Sequence, residues 1–466
     1  MGFFTRKSFE SIKLAGATSG LNKTLGAADL VLLGLGGIIG TGVFVFTGLI
    51  AAECSGPAVT LSYTIAGVTC IFVAFVYAEL STMIPTSGSI YTFSYIAFGQ
   101  GFAWIMASVI ILELGFAAAT VAAGWSGYTQ SLLGAVGIHL PEALTNAPGC
   151  GRGIINIPAV FISGVVCFVL YLGTKDSKRL NAILVIIKIV AIFAFIIFAF
   201  PYFDISNWND FMPFGTMKML KGASILFFAY SGFNTIATAA EECKNPKRDL
   251  MIGIIGSLVL ATMLYVLVAG LLTGITSYTN LNSAHSLSYA LMLNGNRVGF
   301  AIVATGAICG MTTVLMLNIY GQSRVFYVIS RDGLLPKFLS KLHPKYDSPY
   351  VTIMIFSLMT AGLSGFCSLE ILGQMSSMGA LIDYITVAII VMLFRFTLKD
   401  VPRSFKCPIV FIIAPIIIIT CTGLLMTQVF EDGYLILSGK LIIAWFVLML
   451  ILYFINQFCN RRKVAG

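Results

Sequence analysis

Three ionisable side chains lie inside long apolar runs of this sequence. Glu113, Lys188 and Asp383 each have apolar neighbours on both sides. Ionisable residues at membrane depth typically mark a substrate or proton pathway, because hydrocarbon strongly disfavours a charge. A buried lysine can lose and regain a proton, whereas a lysine near a helix end can extend its ammonium to the membrane surface. Both interpretations of Lys188 stay open, and the sequence assigns no role to Asp383.

Glu113 lies near the middle of its apolar run and also has two interpretations. It could be a neutral, hydrogen-bonded carboxylic acid that only stabilises the fold. It could instead share a proton with Lys188 or reach a substrate amine through water. Glu79, Glu241 and Glu242 lie at the ends of apolar runs, where we expect them to act as gate or salt-bridge residues.

Two of the apolar runs contain residues that disfavour a continuous helix. The first has five glycines within Gly34–Gly42, and each glycine costs about 1 kcal/mol relative to alanine inside a helix. The glycines indicate either close helix packing through Gly36-xxx-Gly40 or a discontinuous helix whose second half begins near Thr41. The second interruption is Ser231-Gly-Phe-Asn234, in the sixth run.

Broken helices can bind groups of both charges. The free N–H groups at a helix N-terminus favour a carboxylate, and unwound backbone carbonyls accept hydrogen bonds from an ammonium. A ligand that carries both groups is an amino acid. Interruptions in runs one and six also have the spacing that an inverted repeat of five plus five helices produces. This pairing favours the discontinuous-helix interpretation and predicts an amino acid site between the breaks.

No pattern in the sequence indicates a cofactor or a metal site. The three histidines, His139, His285 and His343, lie in loops, and the cysteines show no CxxC spacing. The glycines of the first run do not fit the GxGxxG spacing of a dinucleotide site, and no strand precedes them. We therefore expect no cofactor, no metal and no histidine relay, which argues against a membrane-embedded hydrolase.

The composition indicates which elements must position these residues. Of 466 residues, 58% are hydrophobic and only 10% are charged, whereas soluble domains have about 25% charged residues. This excludes a soluble enzyme, a disordered scaffold and a coiled coil. The fold class that we predict is an all-α polytopic membrane protein with 12 transmembrane helices. The predicted spans lie near residues 29–53, 57–83, 101–132, 154–173, 180–201, 219–242, 250–274, 297–325, 349–366, 371–397, 405–429 and 437–458.

The basic residues predict the orientation of these spans. When the loops are assigned to alternate sides, 22 of the 28 lysines and arginines lie on one side and five on the other. Cytoplasmic loops are enriched in Lys and Arg, so the bias places both termini in the cytoplasm of a cell with the chain in its plasma or inner membrane. The net charge of +9 then reflects these loops, and we expect membrane lipid as a partner and no nucleic acid.

Several motifs, found in order over runs one to eight, carry a family resemblance. They are Gly36-Gly-Ile-Ile-Gly-Thr-Gly-Val-Phe44, Tyr77-Ala-Glu79, Pro85-Thr-Ser-Gly-Ser-Ile-Tyr91, Ile111-Leu-Glu113, Trp125-Ser-Gly-Tyr128, Phe228-Ala-Tyr-Ser-Gly-Phe233, Glu241-Glu-Cys-Lys-Asn-Pro-Lys-Arg-Asp249, Gly321-Gln-Ser-Arg324 and Arg331-Asp-Gly-Leu-Leu-Pro336. As a set they resemble the amino acid–polyamine–organocation (APC) superfamily, and within it the bacterial branch of the cationic amino acid transporter family. The last four runs match only in layout.

The resemblance implies a leucine-transporter-like fold, a 5+5 inverted repeat with two extra C-terminal helices. The implied divisions are a cytoplasmic N-terminal segment 1–28, a first repeat 29–201, a second repeat 219–397, two additional helices 405–458, and a cytoplasmic tail 459–466.

The resemblance also implies the roles of individual site residues. Thr41 and Gly42 would offer backbone N–H groups to the substrate carboxylate, and Lys188 would take the position where relatives hold a sodium ion. The amine would bind the backbone carbonyls of the two breaks, and the Phe228 ring would cover the ligand. Those carbonyls belong to Ile38, Phe228, Ala229 and Ser231.

The sequence departs from the family pattern at positions that bear on substrate charge. Asn234 replaces a usual Asp, and Asp383 is unusual in the tenth run. Met311, in the run that borders the side-chain pocket of this fold, is bulky and offers no acceptor to a guanidinium. These features favour small neutral L-amino acids over arginine or lysine, although Glu113 could still serve a cationic substrate.

The predicted function is therefore secondary active amino acid transport by alternating access, with proton symport and no sodium. Cationic amino acid transport and amino acid exchange stay open as alternatives. A non-transporting amino acid sensor is the alternative from another class. A channel is disfavoured because the sequence has neither rings of charge nor a repeated filter motif.

Overall fold

The computed structural model describes residues 4–7, 25–84, 88–172, 174–233, 236, 243–344, 348–431 and 434–465, with the backbone alone at 174–182, 246–247 and 456–465. Within these ranges the chain is helical apart from loops and one two-stranded hairpin. The hairpin pairs β1 (Phe430–Glu431) with β2 (Tyr434–Leu435) in antiparallel fashion. Asn234, Glu241 and Glu242, which the sequence analysis singled out, lie outside the described residues.

The α-helices follow one another along the whole chain. In order they are α1 (Ala27–Ile38), α2 (Thr47–Ile50), α3 (Val59–Met83), α4 (Ser89–Ala97), α5 (Gln100–Ile110), α6 (Phe116–Ala135), α7 (Ile157–Tyr171), α8 (Thr174–Ala199), α9 (Gly215–Leu226), α10 (Pro246–Ile275), α11 (Ser286–Leu293), α12 (Arg297–Arg331), α13 (Tyr350–Phe366), α14 (Leu369–Thr397), α15 (Val410–Val429) and α16 (Leu437–Ala465).

In the described ranges, eight helices are long and apolar enough to cross a membrane, and α1, α7 and α13 are shorter apolar helices. Each predicted run overlaps a helix, and the chain is an all-α membrane protein. The short helices α4 and α11 were not predicted, because hydropathy marks apolar length and both are only about two turns long. The 12 spans in an inverted repeat stay a prediction.

Apolar side chains cover the outside of the bundle as well as its core. Large side chains on outward faces are widely exposed, for example Phe168, Ile197, Leu358 and Ile419. A surface of this kind facing water would be unfavourable, because exposed apolar area costs free energy. Facing lipid it has no such cost, which fits a chain with 10% charged residues.

The first predicted break is present. α1 ends at Ile38, Ile39 is extended, and the helix resumes at Thr41. The resumed segment is π-helical at Gly42–Phe46. The glycine run therefore ends one helix and starts another inside a single apolar run, as the discontinuous-helix interpretation predicted.

The second predicted break begins where α9 ends. Leu226 is its last residue, Phe227–Tyr230 forms a tighter 3₁₀ turn, and Ser231 leaves the helical conformation with ψ of 139°. Gly232 has φ of +110°, a left-handed conformation that only glycine adopts without strain. The helical path is therefore broken at Ser231, and the chain beyond Phe233 lies outside the described residues apart from residue 236.

Candidate functional site

The two breaks contact each other in the centre of the bundle. A Cβ placed on Gly42 would lie 2.3 Å from the Cβ of Ala229, and a Cβ on Gly232 would lie 2.8 Å from the carbonyl oxygen of Gly37. These distances are shorter than any ordinary carbon contact, so only glycine fits at either position. The sequence predicted Gly42 as a donor to a ligand, but its missing side chain also lets the two breaks meet.

Buried tyrosines bind the carbonyl groups that the breaks release. The Tyr265 hydroxyl lies 2.8 Å from the oxygen of Ile38 and 3.0 Å from that of Ala229. The Tyr63 hydroxyl donates to the oxygen of Gly42 at 2.9 Å. Since a hydroxyl has one proton, Tyr265 can donate to only one of its two acceptors at a time, which leaves the other available to a ligand.

No sequence motif marked Tyr63 or Tyr265 as a site residue. The sequence nevertheless contains a sign of their role, because a buried tyrosine usually needs a hydrogen-bond partner for its hydroxyl. Inside a bundle of intact helices few backbone groups are free, so tyrosines in the middle of apolar spans point to a broken helix nearby.

Thr41 begins the second half of the broken helix and has an unused hydroxyl. Its side chain is buried, and no described residue hydrogen-bonds to Oγ1. The first N–H groups of a helix have no acceptor within that helix. The start of the resumed helix therefore combines N–H groups with a free hydroxyl, a suitable arrangement for a carboxylate.

Met311 and Gly124 form the wall beside Thr41. A Cβ on Gly124 would lie 2.6 Å from Cγ2 of Thr41 and 3.3 Å from Sδ of Met311. Met311 is fully buried on α12. The structure thus brings Met311 close to the first break, where its thioether limits the space available.

Phe228 lies at the second break and packs against the resumed half of the first broken helix. Its ring lies against that of Phe46, with 5.3 Å between the centroids. Its backbone N–H donates to Oγ of Ser377 at 3.2 Å. The Phe228 ring is buried against Phe46, whereas α14 holds the Phe228 backbone. Three residues later, the Ser231 hydroxyl faces Glu113.

Lys188 is fully buried and binds the first break. Its ammonium donates to the carbonyl of Gly36, to that of Ile39 at 2.8 Å and to Oγ1 of Thr313 at 3.1 Å. Its helix begins at Thr174, fourteen residues earlier, about 21 Å along the axis. The interpretation that Lys188 extends to the membrane surface is therefore wrong.

Glu113 lies at the second break, in a π-helical turn between α5 and α6. Its Oε1 is 3.5 Å from Oγ of Ser231, and its carboxyl is within hydrogen-bonding reach of the Asp383 side chain. The three acceptors of Lys188 do not include Glu113. Direct sharing of a proton between Glu113 and Lys188, one of the sequence-based interpretations, is therefore absent here.

A cavity of about 270 Å³ opens at the end of α6. Its lining includes Ala123, Asn156 and His285. Burial lowers the pKa of His285 below its usual value, so the ring is neutral at pH 7. Ala123 directly precedes Gly124, so the same stretch of α6 lines the cavity and forms the wall beside the first break.

Ion pairs form near the C-terminal end of α3, far from Tyr63 at its start. The buried carboxylate of Glu79 lies 2.6 Å from Nη2 of Arg395 and 2.9 Å from Nε of Arg403. It also accepts the backbone N–H of Cys407 at 2.7 Å. Glu79 therefore connects α3 to α14 and to the loop that follows α14, which fits the salt-bridge role expected of it.

The sequence matches the family model described as amino acid permease over residues 25–456. It is 41% identical over 459 residues to the branched-chain amino acid permease BcaP of Bacillus subtilis, with 97% of each chain covered. It is 37% identical over 454 residues to the methylthioribose transporter of the same organism, again with 97% of each chain. With cationic amino acid transporter 1 of Arabidopsis thaliana it shares 36% identity over 379 residues, 81% of this chain and 63% of the relative. The chain therefore belongs to the amino acid permease family of the APC superfamily and is a multi-pass membrane transporter.

Proposed function

We propose that this protein transports small neutral L-amino acids by alternating access, in symport with protons. The observation that carries the proposal is the direct contact of two broken helices around the free hydroxyl of Thr41. The substrate carboxylate binds the N–H groups of Thr41 and Gly42, and the Phe228 ring covers the ligand. The amine binds carbonyls at the breaks, which are those of Ile38, Phe228, Ala229 and Ser231.

The architecture that we propose has 12 transmembrane helices. Residues 29–201 and 219–397 form the inverted repeats, and residues 405–458 add two helices. Breaks in the first and sixth apolar runs support this division, because inverted repeats place discontinuous helices at corresponding positions. Segments 1–28 and 459–466 lie in the cytoplasm of a cell whose inner membrane holds the chain.

Coupling to protons is assigned to Lys188. When protonated, its ammonium holds the carbonyls of Gly36 and Ile39 together beside the first break. When it loses the proton it donates fewer hydrogen bonds, and the break is released. Lys188 thereby links its own protonation to the shape of the carboxylate site, without sodium.

Substrate size and charge are limited by Met311. Its apolar side chain lies beside Thr41 and would leave a guanidinium without an acceptor. The relatives named for branched-chain amino acids support a neutral, apolar substrate. The relatives named for cationic amino acids, together with Glu113 at the second break, make arginine or lysine the second candidate class.

The decisive experiment is uptake of radiolabelled L-leucine and L-alanine into proteoliposomes that contain the purified full chain. We expect an inward proton gradient to stimulate uptake, and unlabelled neutral amino acids to compete better than arginine, lysine or methylthioribose. Best competition by arginine would favour the cationic alternative. Counterflow without any gradient response would favour exchange, and binding without counterflow would indicate a sensor.

A further inference from the structure

Asp383, to which the sequence assigned no role, has one satisfied and one unsatisfied oxygen. The residue is fully buried in the middle of α14. The Tyr77 hydroxyl donates to Oδ2, whereas no N–H or O–H group of a described residue donates to Oδ1. A buried carboxylate oxygen without a donor is unfavourable, so the arrangement calls for a further proton.

An acidic group within reach of Asp383 is Glu113. The segments that carry the two residues are in close contact, because a Cβ on Gly379, one turn before Asp383 on α14, would lie 2.6 Å from the backbone nitrogen of Glu113. Both side chains are almost completely buried. Two adjacent carboxylates cannot both be ionised in such a site without a compensating cation, because like charges at short range in a low dielectric repel strongly.

The described titratable groups next to Asp383 are uncharged tyrosines and cysteines. In the described part of the chain, α3 contributes Tyr77 and Cys70, α14 contributes Tyr384, and α15 contributes Cys421 beside Cys70. The ammonium of Lys188 is engaged by acceptors at the first break. A proton on one of the two carboxyls relieves their repulsion and supplies the donor that Oδ1 of Asp383 lacks.

We propose that Glu113 and Asp383 share a single proton and form a second proton-binding site of the transporter, separate from Lys188. One proton on either carboxyl creates an O–H donor between the two groups. The singly protonated pair keeps one negative charge, and Ser231, 3.5 Å from Glu113, places that charge beside the second break. Resting on the function proposed above, the pair is then the counter-charge for the substrate ammonium.

The test is an infrared titration of the purified full chain, which detects the carbonyl stretch of a protonated carboxylic acid. In the wild-type protein we expect this band to persist above the pH at which ordinary Asp and Glu residues ionise. Asp383→Asn and Glu113→Gln remove the repulsion between two carboxylates, so the midpoint of the remaining group should fall by about one pH unit or more. Tyr77→Phe removes the hydroxyl that stabilises ionised Asp383, so it should raise the midpoint.

Asp332→Asn is the matched control. Asp332 also accepts a tyrosine hydroxyl, that of Tyr91 at 3.0 Å, but it pairs with Lys7 at 2.5 Å. This substitution should leave the band and its midpoint unchanged. Should Asp383→Asn fail to fold, Glu113→Gln and Tyr77→Phe report on the same pair.

A band and midpoint unchanged in all three pair variants would overturn the shared proton. If the wild-type protein nevertheless shows proton-driven uptake, Lys188 remains the coupling site. Conversely, the expected midpoint shifts without any response of uptake to a proton gradient would support the shared proton and contradict the proposed symport.

Discussion

At the scale of single residues, Lys188 brings a cationic side chain to the carbonyls of the first break. We predict that Lys188→Ala strongly reduces proton-driven uptake, because the carbonyls of Gly36 and Ile39 lose their shared donor. Gradient-driven uptake should fall by about tenfold or more, since each charge-assisted hydrogen bond is worth about 1.5–3 kcal/mol. Initial rates in proteoliposomes at several external pH values measure the effect.

Lys221→Ala is the control for that experiment. Lys221 is a lysine outside the site whose ammonium pairs with Glu431 at 2.9 Å. Its removal should leave the pH dependence unchanged. If uptake by Lys188→Ala also keeps the pH dependence of the wild-type protein, Lys188 has no part in the coupling mechanism.

Met311 is the residue that we expect to filter substrates by size and charge. Met311→Ser shortens the side chain beside Thr41 and adds a hydroxyl, so it should admit arginine as a competitor that the wild-type protein excludes. Competition by a panel of unlabelled L-amino acids measures the change. Met316→Ser, on another face of α12 and also buried, should leave the ranking as it is. If arginine already competes best in the wild-type protein, Met311 is not the filter.

At the scale of elements, the site depends on how closely the two broken helices approach. Gly42→Ala places a methyl group 2.3 Å from the Cβ of Ala229, which forces the breaks apart. We predict that substrate affinity falls by about tenfold or more, since small displacements at a binding site are costly. Binding of labelled substrate to protein of unchanged elution volume gives the measurement.

The matched control is Gly423→Ala on α15, where a Cβ would meet no atom within 4 Å. That variant should bind substrate as the wild-type protein does. Wild-type affinity in Gly42→Ala would show that the contact of the breaks does not form the site.

The ion pairs of Glu79 are buried, whereas the pair of Lys221 with Glu431 is largely exposed. Glu79→Gln leaves Arg395 and Arg403 without their carboxylate, and loss of one partner of a buried pair costs about 3 kcal/mol or more. Glu431→Gln breaks the exposed pair with Lys221, which is worth less than about 1 kcal/mol. We therefore predict a clearly lower thermal unfolding midpoint for Glu79→Gln and little change for Glu431→Gln. Equal shifts in the two variants would contradict this difference in burial.

The contribution of the exposed Lys221–Glu431 pair to stability should also depend on pH. The hydrogen bond and charge of Lys221 hold the pKa of Glu431 below its usual value. The small contribution of this pair to stability is therefore complete above the ordinary Glu pKa and lost as the pH falls through the lowered one. Any difference in the thermal unfolding midpoint between the wild-type protein and Glu431→Gln should therefore disappear in acid.

At the scale of the whole molecule, the placement of basic residues predicts the orientation. With 22 of 28 lysines and arginines assigned to one side, both termini should be cytoplasmic. A green fluorescent protein fused after Gly466 should fluoresce, and alkaline phosphatase at the same place should be inactive. Fusions after Tyr434, between α15 and α16, should give the reverse pattern. Active alkaline phosphatase after Gly466 would invert the topology.

The sequence alone determined those features that depend on local composition. Apolar length predicted the long helices and glycine content predicted the break after Ile38, because both act through the backbone of a single segment. The sequence also marked Lys188, Glu113 and Asp383 as unusual, because a charge in an apolar run is costly wherever that run packs.

Only the tertiary structure decided which groups meet. Tyr77 and Asp383 are 306 positions apart in the sequence, and Lys188 lies 152 positions from Gly36. No local propensity encodes such pairs, because they form only when helices pack side by side and buried polar groups find their partners. The packing assigned Lys188 to the first break and Glu113 to Asp383, and it brought Tyr265 to carbonyls whose release the glycine pattern had predicted.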